Sequence, residues 1–400
     1  MKVTTKRESA FREVFRRLFA TIGKKKEHYF DYDLLIVLAF LTCFGLIMLY
    51  STSAYSAQRD HGHDMFFFMR QAVFAAGSFV VMLVVSKIDY HIYAPGTRFF
   101  FIVSLLLLFG VHSPLGVEAY GARRWISLPI PGGHFTLQPA EIVKLTVILF
   151  VSYELCRLGK EAYTLRGAVR IIGIGVIAAA GVLFITSNLS TAIIVMFISC
   201  LLYFVVHPKM KVFIAILLTG AAALAGSLWF IYNHVDHATN FRMGRIIAWM
   251  NPEYFSDAGG FQVMQGLYAI GSGGFWGRGL GNSTQKLGVI PEVQNDMILA
   301  IIGEELGVFG IIVLLALFAM MLFRLIFIAQ NAPDLFGSLL ATGIFAHVSL
   351  QVILNVAVVT NTIPTTGVGL PFISYGGTAL AFLMVEMGIA LNISRKIEFR

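Results

Sequence analysis

Asp296 stands at the head of an apolar run, Met297 to Ile328, that is interrupted early by Glu304 and Glu305. An ionisable group deep in hydrocarbon is costly, whereas one in a cavity at the membrane edge is a functional candidate. Four cations, Arg242, Arg245, Arg278 and Lys286, precede it in a glycine-rich stretch. Such cations either bind an anion or pair with Glu253, Asp257 and Glu292. Glu141 and Lys144 lie three apart at the head of another apolar run, so a helix puts them on one face, as an ion pair or as part of a polar cavity. His347, Gln351 and Asn355 recur every four residues as a polar stripe, for which hydrogen bonding between helices is a better reading than the lining of a lipid groove. Glu386 is expected to find a partner within the same bundle.

The elements that must position these side chains follow from composition. Of the 400 residues, 57% are apolar and 13% charged, against roughly 45–50% and 25% in soluble domains. A water-soluble globule is excluded. Apolar runs close to span length, near the twenty residues that cross about 30 Å of hydrocarbon, fall at 34–54, 66–86, 98–112, 141–157, 168–186, 189–206, 210–232, 304–328, 336–359 and 372–393. One helix through the fifth and sixth would far exceed the bilayer, so a reversal is required at Ser187-Asn188. The fold class expected is all-α, a polytopic membrane protein of ten spans, with both termini cytoplasmic and one large extracytoplasmic loop, 233–295, between helices 7 and 8.

The formal charge of +8 belongs to this topology and implies no nucleic acid. Nine of the thirty Lys and Arg lie in the first 26 residues, and basic residues stay on the cytoplasmic side. Residues 1–33 thus read as a basic cytoplasmic tail before a transmembrane domain at 34–400, with an uncleaved first span. In the tail Phe11, Val14, Phe15, Leu18, Phe19 and Ile22 recur at helical spacing opposite Arg12, Arg16 and Arg17. That pattern fits a helix lying on an anionic membrane surface or a disordered basic tail. Cys43, Cys156 and Cys200 have neither metal-ligand nor disulfide-framework spacing. Gly271-Ser272-Gly273-Gly274 and Gly277-Arg278-Gly279-Leu280-Gly281 lack the strand-loop-helix context and the Lys-Ser/Thr of a phosphate-binding loop, so nucleotide binding is discounted.

Gly121-Ala122-Arg123-Arg124-Trp125-Ile126 with Gln138-Pro139-Ala140-Glu141-Ile142-Val143-Lys144-Leu145 resembles the first extracellular signature of the SEDS glycosyltransferases of bacterial cell walls. Gly279-Leu280-Gly281-Asn282-Ser283, the stretch from Pro291 to Gly307 and that from Pro364 to Gly377 resemble later motifs of the same family. The wording, notably Thr360-Asn361-Thr362-Ile363-Pro364, is similar to the division and sporulation branches more than to the elongation branch. The resemblance implies polymerisation of lipid II on the outer face of the bacterial cytoplasmic membrane, at the division septum. The 4-hydroxyl of an incoming disaccharide displaces the polyprenyl pyrophosphate of the growing glycan. A sugar hydroxyl is a poor nucleophile, so a carboxylate must take its proton, an effect of roughly 10²–10⁴-fold. Asp296 matches the essential aspartate of the family and is the catalytic candidate; a helix N-cap is its structural alternative.

The leaving pyrophosphate needs prearranged positive charge. Arg124, Arg242, Arg245 and Lys286 are the expected substrate-binding cations, with Arg124 and Arg245 favoured. The resemblance places Glu141 and Lys144 in the central cavity. Ser374, at the start of the tenth span, is read as packing or as substrate contact. No cofactor is required by the sequence and no metal ligands are assigned; Mg²⁺ or Mn²⁺ stays open. The partners implied are a class B penicillin-binding protein, other division proteins, and lipid II with its pyrophosphate-linked glycan. A lipid II flippase and a non-catalytic divisome scaffold are the competing readings. One departure concerns Ser187-Asn188-Leu189-Ser190-Thr191, where relatives commonly carry Pro-Asp-Leu-Gly-Thr; the acidic group is absent, so Asn188 receives no acid or metal role.

Overall fold

The computed structural model describes residues 29–119, 122–130, 133–208, 218, 249–250, 252–253, 260–287, 290 and 293–398. The expected seventh span, the tail helix, Arg242, Arg245 and the acids Asp257 and Glu292 lie outside the described residues.

Ten helices carry the described fold: α1 (Tyr32–His61), α2 (Phe66–Val85), α3 (Thr97–Phe109), α4 (Pro139–Leu158), α5 (Leu165–Thr186), α6 (Leu189–Val206), α7 (Gly260–Gly273), α8 (Ile298–Asn331), α9 (Leu335–Val359) and α10 (Gly377–Ser394). Among the described residues, eight helical stretches are long and apolar enough to cross a membrane. The twenty-residue α4 has span length too, but it carries Glu141, Lys144, Glu154 and Arg157. It can do so because most of its surface is buried against other helices, where polar groups find protein partners rather than lipid. The most apolar central stretches of α9 and α10 are 61% and 67% buried, against 22–28% for α2, α3, α5 and α8. The charged α4 and the helices α9 and α10 therefore form the inner layer, and the others present apolar faces outward.

Local chemistry explains the boundaries. Asp31 caps α1 by accepting from Leu34 N at 2.9 Å, and Asp334 caps α9 by accepting from Gly337 N at 2.8 Å. The reversal between α5 and α6 falls where the sequence requires it. Ser187 adopts a left-handed φ of 52°, and Asn188 accepts from Thr191 N at 3.1 Å to start α6.

Two features differ from the sequence reading. The stretch between α3 and α4 is not a plain loop: β1 (Gly116–Ala119), β2 (Ala122–Ile130) and β3 (Gly133–Leu137) form an antiparallel sheet in the order β1-β2-β3. Ile126 pairs with Gly116 on one side and Leu137 on the other. A mainly helical chain thus carries a small sheet, invisible to a reading tuned to twenty-residue runs because its strands are only four to nine residues long. The second difference is in α8. Its 34 residues would span about 51 Å, but Gly307, with φ 69° and ψ −170°, breaks it. A short head, 298–306, is thereby separated from a membrane-length shaft, 308–331, so Glu304 and Glu305 belong to the head.

Candidate active site

Asp31, before α1, pairs with Arg324 near the foot of α8, and its N–H donates to Ser394 Oγ at the end of α10, so residues 29–33 and 394–398 mark one end of the bundle and the head of α8 marks the other. At that second end Asp296 is half-buried. Its carboxylate accepts from Gln262 Nε2 of α7 at 3.3 Å, and its backbone carbonyl accepts from Asn355 Nδ2 of α9 at 2.9 Å. Gly367, at φ 69°, brings the 364–371 loop so close that a Cβ there would stand 3.9 Å from Asp296 Oδ2. The N-cap position of α8 falls on Met297, which makes no side-chain cap bond. The carboxylate of Asp296 is therefore held between α7, α9 and the 364–371 loop rather than being used to start its own helix.

The glycine motifs acquire a physical reason here. Residues 273–279 lie against the α8 kink backbone to backbone. Arg278 N and Gly279 N donate to Glu304 O and Glu305 O, each at 2.9 Å. Val308 N and Phe309 N donate back to Gly274 O and Phe275 O at 3.0 and 3.1 Å. A Cβ on Gly277 would meet Glu305 O at 2.2 Å, and one on Gly273 would meet Gly303 O at 2.0 Å. These glycines exist to let two backbones touch.

The same clamp takes up two of the expected cations. Lys286 Nζ is buried, 2.7 Å from Glu305 Oε1 and 3.0 Å from Ser51 Oγ of α1. Arg278 Nη1 lies 3.2 Å from Glu304 Oε1. Glu304 also accepts from Ser283 Oγ, Thr284 N and Thr284 Oγ1, and Glu305 from Ser51 Oγ. Each buried carboxylate thus has a cation and further donors, which is what makes a buried charge tolerable. Pairing was the alternative to anion binding for these cations, and Arg278 and Lys286 pair with Glu304 and Glu305. Neither glutamate had a role in the sequence reading. What pairs them with 278–286 is a long-range contact that no local spacing encodes.

Lys144 and Glu141 form an ion pair of 2.8 Å on α4, both buried. Arg124, on β2, donates to Ser187 O at the α5–α6 reversal at 3.4 Å. Ser190, in the first turn of α6, donates to Thr366 O at 2.8 Å, so the α5–α6 reversal that Arg124 touches is bonded to the 364–371 loop that faces Asp296. Ser374 Oγ accepts from Leu370 N at 2.7 Å and closes the turn before α10. The polar stripe bonds between elements. His347 meets Glu386 at 2.8 Å, Gln351 donates to Gly369 O at 3.0 Å, and Asn355 donates to Val368 O at 2.8 Å as well as to Asp296 O. The stripe therefore holds the loop that faces the aspartate. Sequence reasoning missed Gln262, although a polar residue among the apolar positions of α7 was the available signal.

With the geometry in place, comparison with known proteins is informative. The profile of the family described as cell cycle protein matches residues 32–398. Stage V sporulation protein E of Bacillus subtilis (strain 168) is 36% identical over 367 residues, 91% of this chain and 97% of that protein. A probable peptidoglycan glycosyltransferase FtsW of Geobacter sp. (strain M18) is 35% identical over 373 residues, covering 92% and 98%. Among solved structures, a chain of a peptidoglycan synthase complex superposes with a TM-score of 0.73 at 24% identity, covering 92% of this chain and 98% of its own. The rod shape determining protein RodA of Thermus thermophilus gives 0.65 at 23% identity, covering 93% and 98%. These two likenesses speak for the fold.

Proposed function

Because this chain belongs to the FtsW, RodA and SpoVE family of cell cycle proteins, we propose that it polymerises lipid II on the outer face of the bacterial cytoplasmic membrane, with Asp296 as the general base. It is a peptidoglycan glycosyltransferase, and the setting we propose is septal wall synthesis in cell division, supported by the match to a cell cycle protein family and by relatives named as FtsW. The observation that carries the mechanism is the position of Asp296, half-buried at the mouth formed by α7, α9 and the 364–371 loop.

The steps follow from this geometry. The 4-hydroxyl of the incoming sugar attacks the anomeric carbon that carries the polyprenyl pyrophosphate. Asp296 takes the hydroxyl proton, the new glycosidic bond forms with inversion, and the pyrophosphate leaves with the bonding electron pair. Arg124 stands over the α5–α6 reversal at the same end, and Arg242 and Arg245, outside the described residues, are the further cations proposed for the pyrophosphate. The pairs Glu141–Lys144 and Glu305–Lys286 orient the surrounding helices and contribute dipoles rather than net charge. Among the described residues no group of three or more His, Cys, Asp or Glu side chains lies together to hold a metal ion. A divalent cation would take its ligands from Asp296 and the pyrophosphate itself.

The full topology is ten spans with both termini cytoplasmic and 233–295 as the large outer loop. Supporting it, Lys87, Arg98, Arg157, Arg170, Arg324 and Lys396 gather at the end opposite Asp296, as basic residues do on the inner side. A class B penicillin-binding protein is the proposed partner, supported by the likeness to a synthase complex that coordinates polymerization and crosslinking.

The test is reconstitution of the purified chain with that partner and lipid II. Asp296→Asn should lower glycan polymerisation by roughly 10²–10⁴-fold while partner binding and melting temperature hold. Equal chain lengthening in both proteins removes Asp296 as the base. Passage of labelled lipid II across vesicles without polymer would establish the transporter reading instead.

A further inference from the structure

The end of the bundle opposite Asp296 carries a charge cluster that the polymerase reaction does not use. Glu154, at the foot of α4, is fully buried, and three guanidinium groups from three helices converge on it. Arg98 of α3 approaches at 3.3 Å, Arg157 of α4 at 3.3 Å and Arg170 of α5 at 3.0 Å. One carboxylate against three guanidiniums leaves a local excess of two positive charges. Each arginine engages Glu154 through a single nitrogen, so most of its five donors point elsewhere. Like charges held this close repel, so a further anion at this point would be stabilising.

The surroundings indicate which anion. The three arginine side chains are 57%, 51% and 45% exposed. They are flanked by outward-facing apolar residues, Phe99 and Phe100 on α3 and Leu165 and Val169 on α5. Cations beside a lipid-facing apolar surface, at the depth where helices end, match a phospholipid: phosphate at the arginines and acyl chains along α3 and α5.

We propose that Arg98, Arg157 and Arg170 form a binding site for the phosphate headgroup of an anionic phospholipid, with cardiolipin, which carries two phosphates, the best match to the excess of two charges. The assignment of this end to the inner leaflet rests on the orientation proposed above; the site itself does not.

The test is native mass spectrometry of the purified full chain titrated with cardiolipin or with phosphatidylethanolamine. Wild type should retain cardiolipin preferentially. Arg98→Gln/Arg170→Gln leaves Arg157 to neutralise Glu154, and should weaken retention by about thirtyfold for two interfacial cations. Lys87→Gln, an equally basic surface position away from the cluster, should leave retention unchanged. Glu154→Gln removes the competing carboxylate and should strengthen retention, whereas arginines that serve only to neutralise Glu154 would show no gain. Four results overturn the proposal: no lipid preference in wild type, unchanged retention in the double variant, no gain in Glu154→Gln, or retention abolished equally by inorganic phosphate. The last would make this a site for free anions.

Discussion

Gly307→Ala should be among the most disruptive single-methyl additions in the described chain, and the size of the effect can be worked from the kink. The residue sits at φ 69° and ψ −170°, a region that costs an L-residue about 1–3 kcal/mol. Its new Cβ would also stand 2.3 Å from Phe275 O and 2.4 Å from Gly277 N. Both are backbone atoms that no rotamer change can move. Relieving the clash means separating 273–279 from the α8 kink, with loss of the four backbone hydrogen bonds between them, each about 1 kcal/mol net. Together these come to about 5–7 kcal/mol. Gly271→Ala is the matched control, since nothing lies within 4 Å of its Cβ position. There the change should be neutral or stabilise by up to about 1 kcal/mol through helix propensity. Thermal unfolding in detergent should separate the two variants widely, and lipid II polymerisation should fall with Gly307→Ala because Asp296 is carried on the same helix head. Indistinguishable melting of the two alanine variants would refute the reading of the kink as a backbone clamp.

Three further outcomes are expected. Lys286→Met leaves Glu305 buried without its cation and should destabilise by about 3–5 kcal/mol, with most of that recovered in Lys286→Met/Glu305→Leu; if the single variant melts like wild type but polymerises poorly, Lys286 acts on substrate. Ser374→Ala should cost about 1 kcal/mol for the lost bond to Leu370 N with near-normal polymerisation, and a hundredfold loss of rate at unchanged melting temperature would make it a substrate contact. Lys396, hydrogen-bonded to Asp89, holds that carboxyl well below the usual carboxylate range. A depressed carboxylate contributes stability above its unfolded-state pKa and loses it as pH falls through the folded one. Lys396→Met should therefore lower the melting temperature at neutral pH and converge with wild type under strong acid; a pH-independent gap would show that Asp89 is not involved.

Much of the fold was legible because membrane spans are written in length and composition, which survive without knowledge of contacts. The Ser187-Asn188 reversal was legible for the same reason: bilayer thickness forbids one helix there, and Ser187 supplies the left-handed turn. Asp296 stood out because charge at the head of an apolar run is costly. The clamp was not legible. Gly273, Gly277 and Gly307 could be recognised as glycines with a purpose, but their contacts join segments about thirty residues apart, and nothing local distinguishes close backbone approach from a phosphate-binding loop. Arg278 and Lys286 share that limit, since a cation's sequence neighbours do not say which distant carboxylate will neutralise it. The three strands escaped because single short strands in a polar connector carry no period long enough to read.

The structure also shifts where the charge for the leaving pyrophosphate must come from. Lys144 and Lys286 are buried beside Glu141 and Glu305 at 2.8 and 2.7 Å, so each pair is close to neutral. A neutral pair exerts a dipole field that falls off faster with distance than the field of a free charge, and breaking it to serve a substrate would strand a buried carboxylate. Electrostatic stabilisation of a departing anion is effective when the charge is fixed in advance and costs no rearrangement. Committed lysines fail that condition, whereas they meet the different need of holding helices in place. On the proposed mechanism the weight therefore moves to the outer-face arginines, whose planar guanidinium suits bidentate phosphate contact, while Lys286 and Glu305 hold the helix head that follows Asp296. That proposal divides positioning from charge, with the lysine pairs locking the scaffold and the arginines left to meet the substrate.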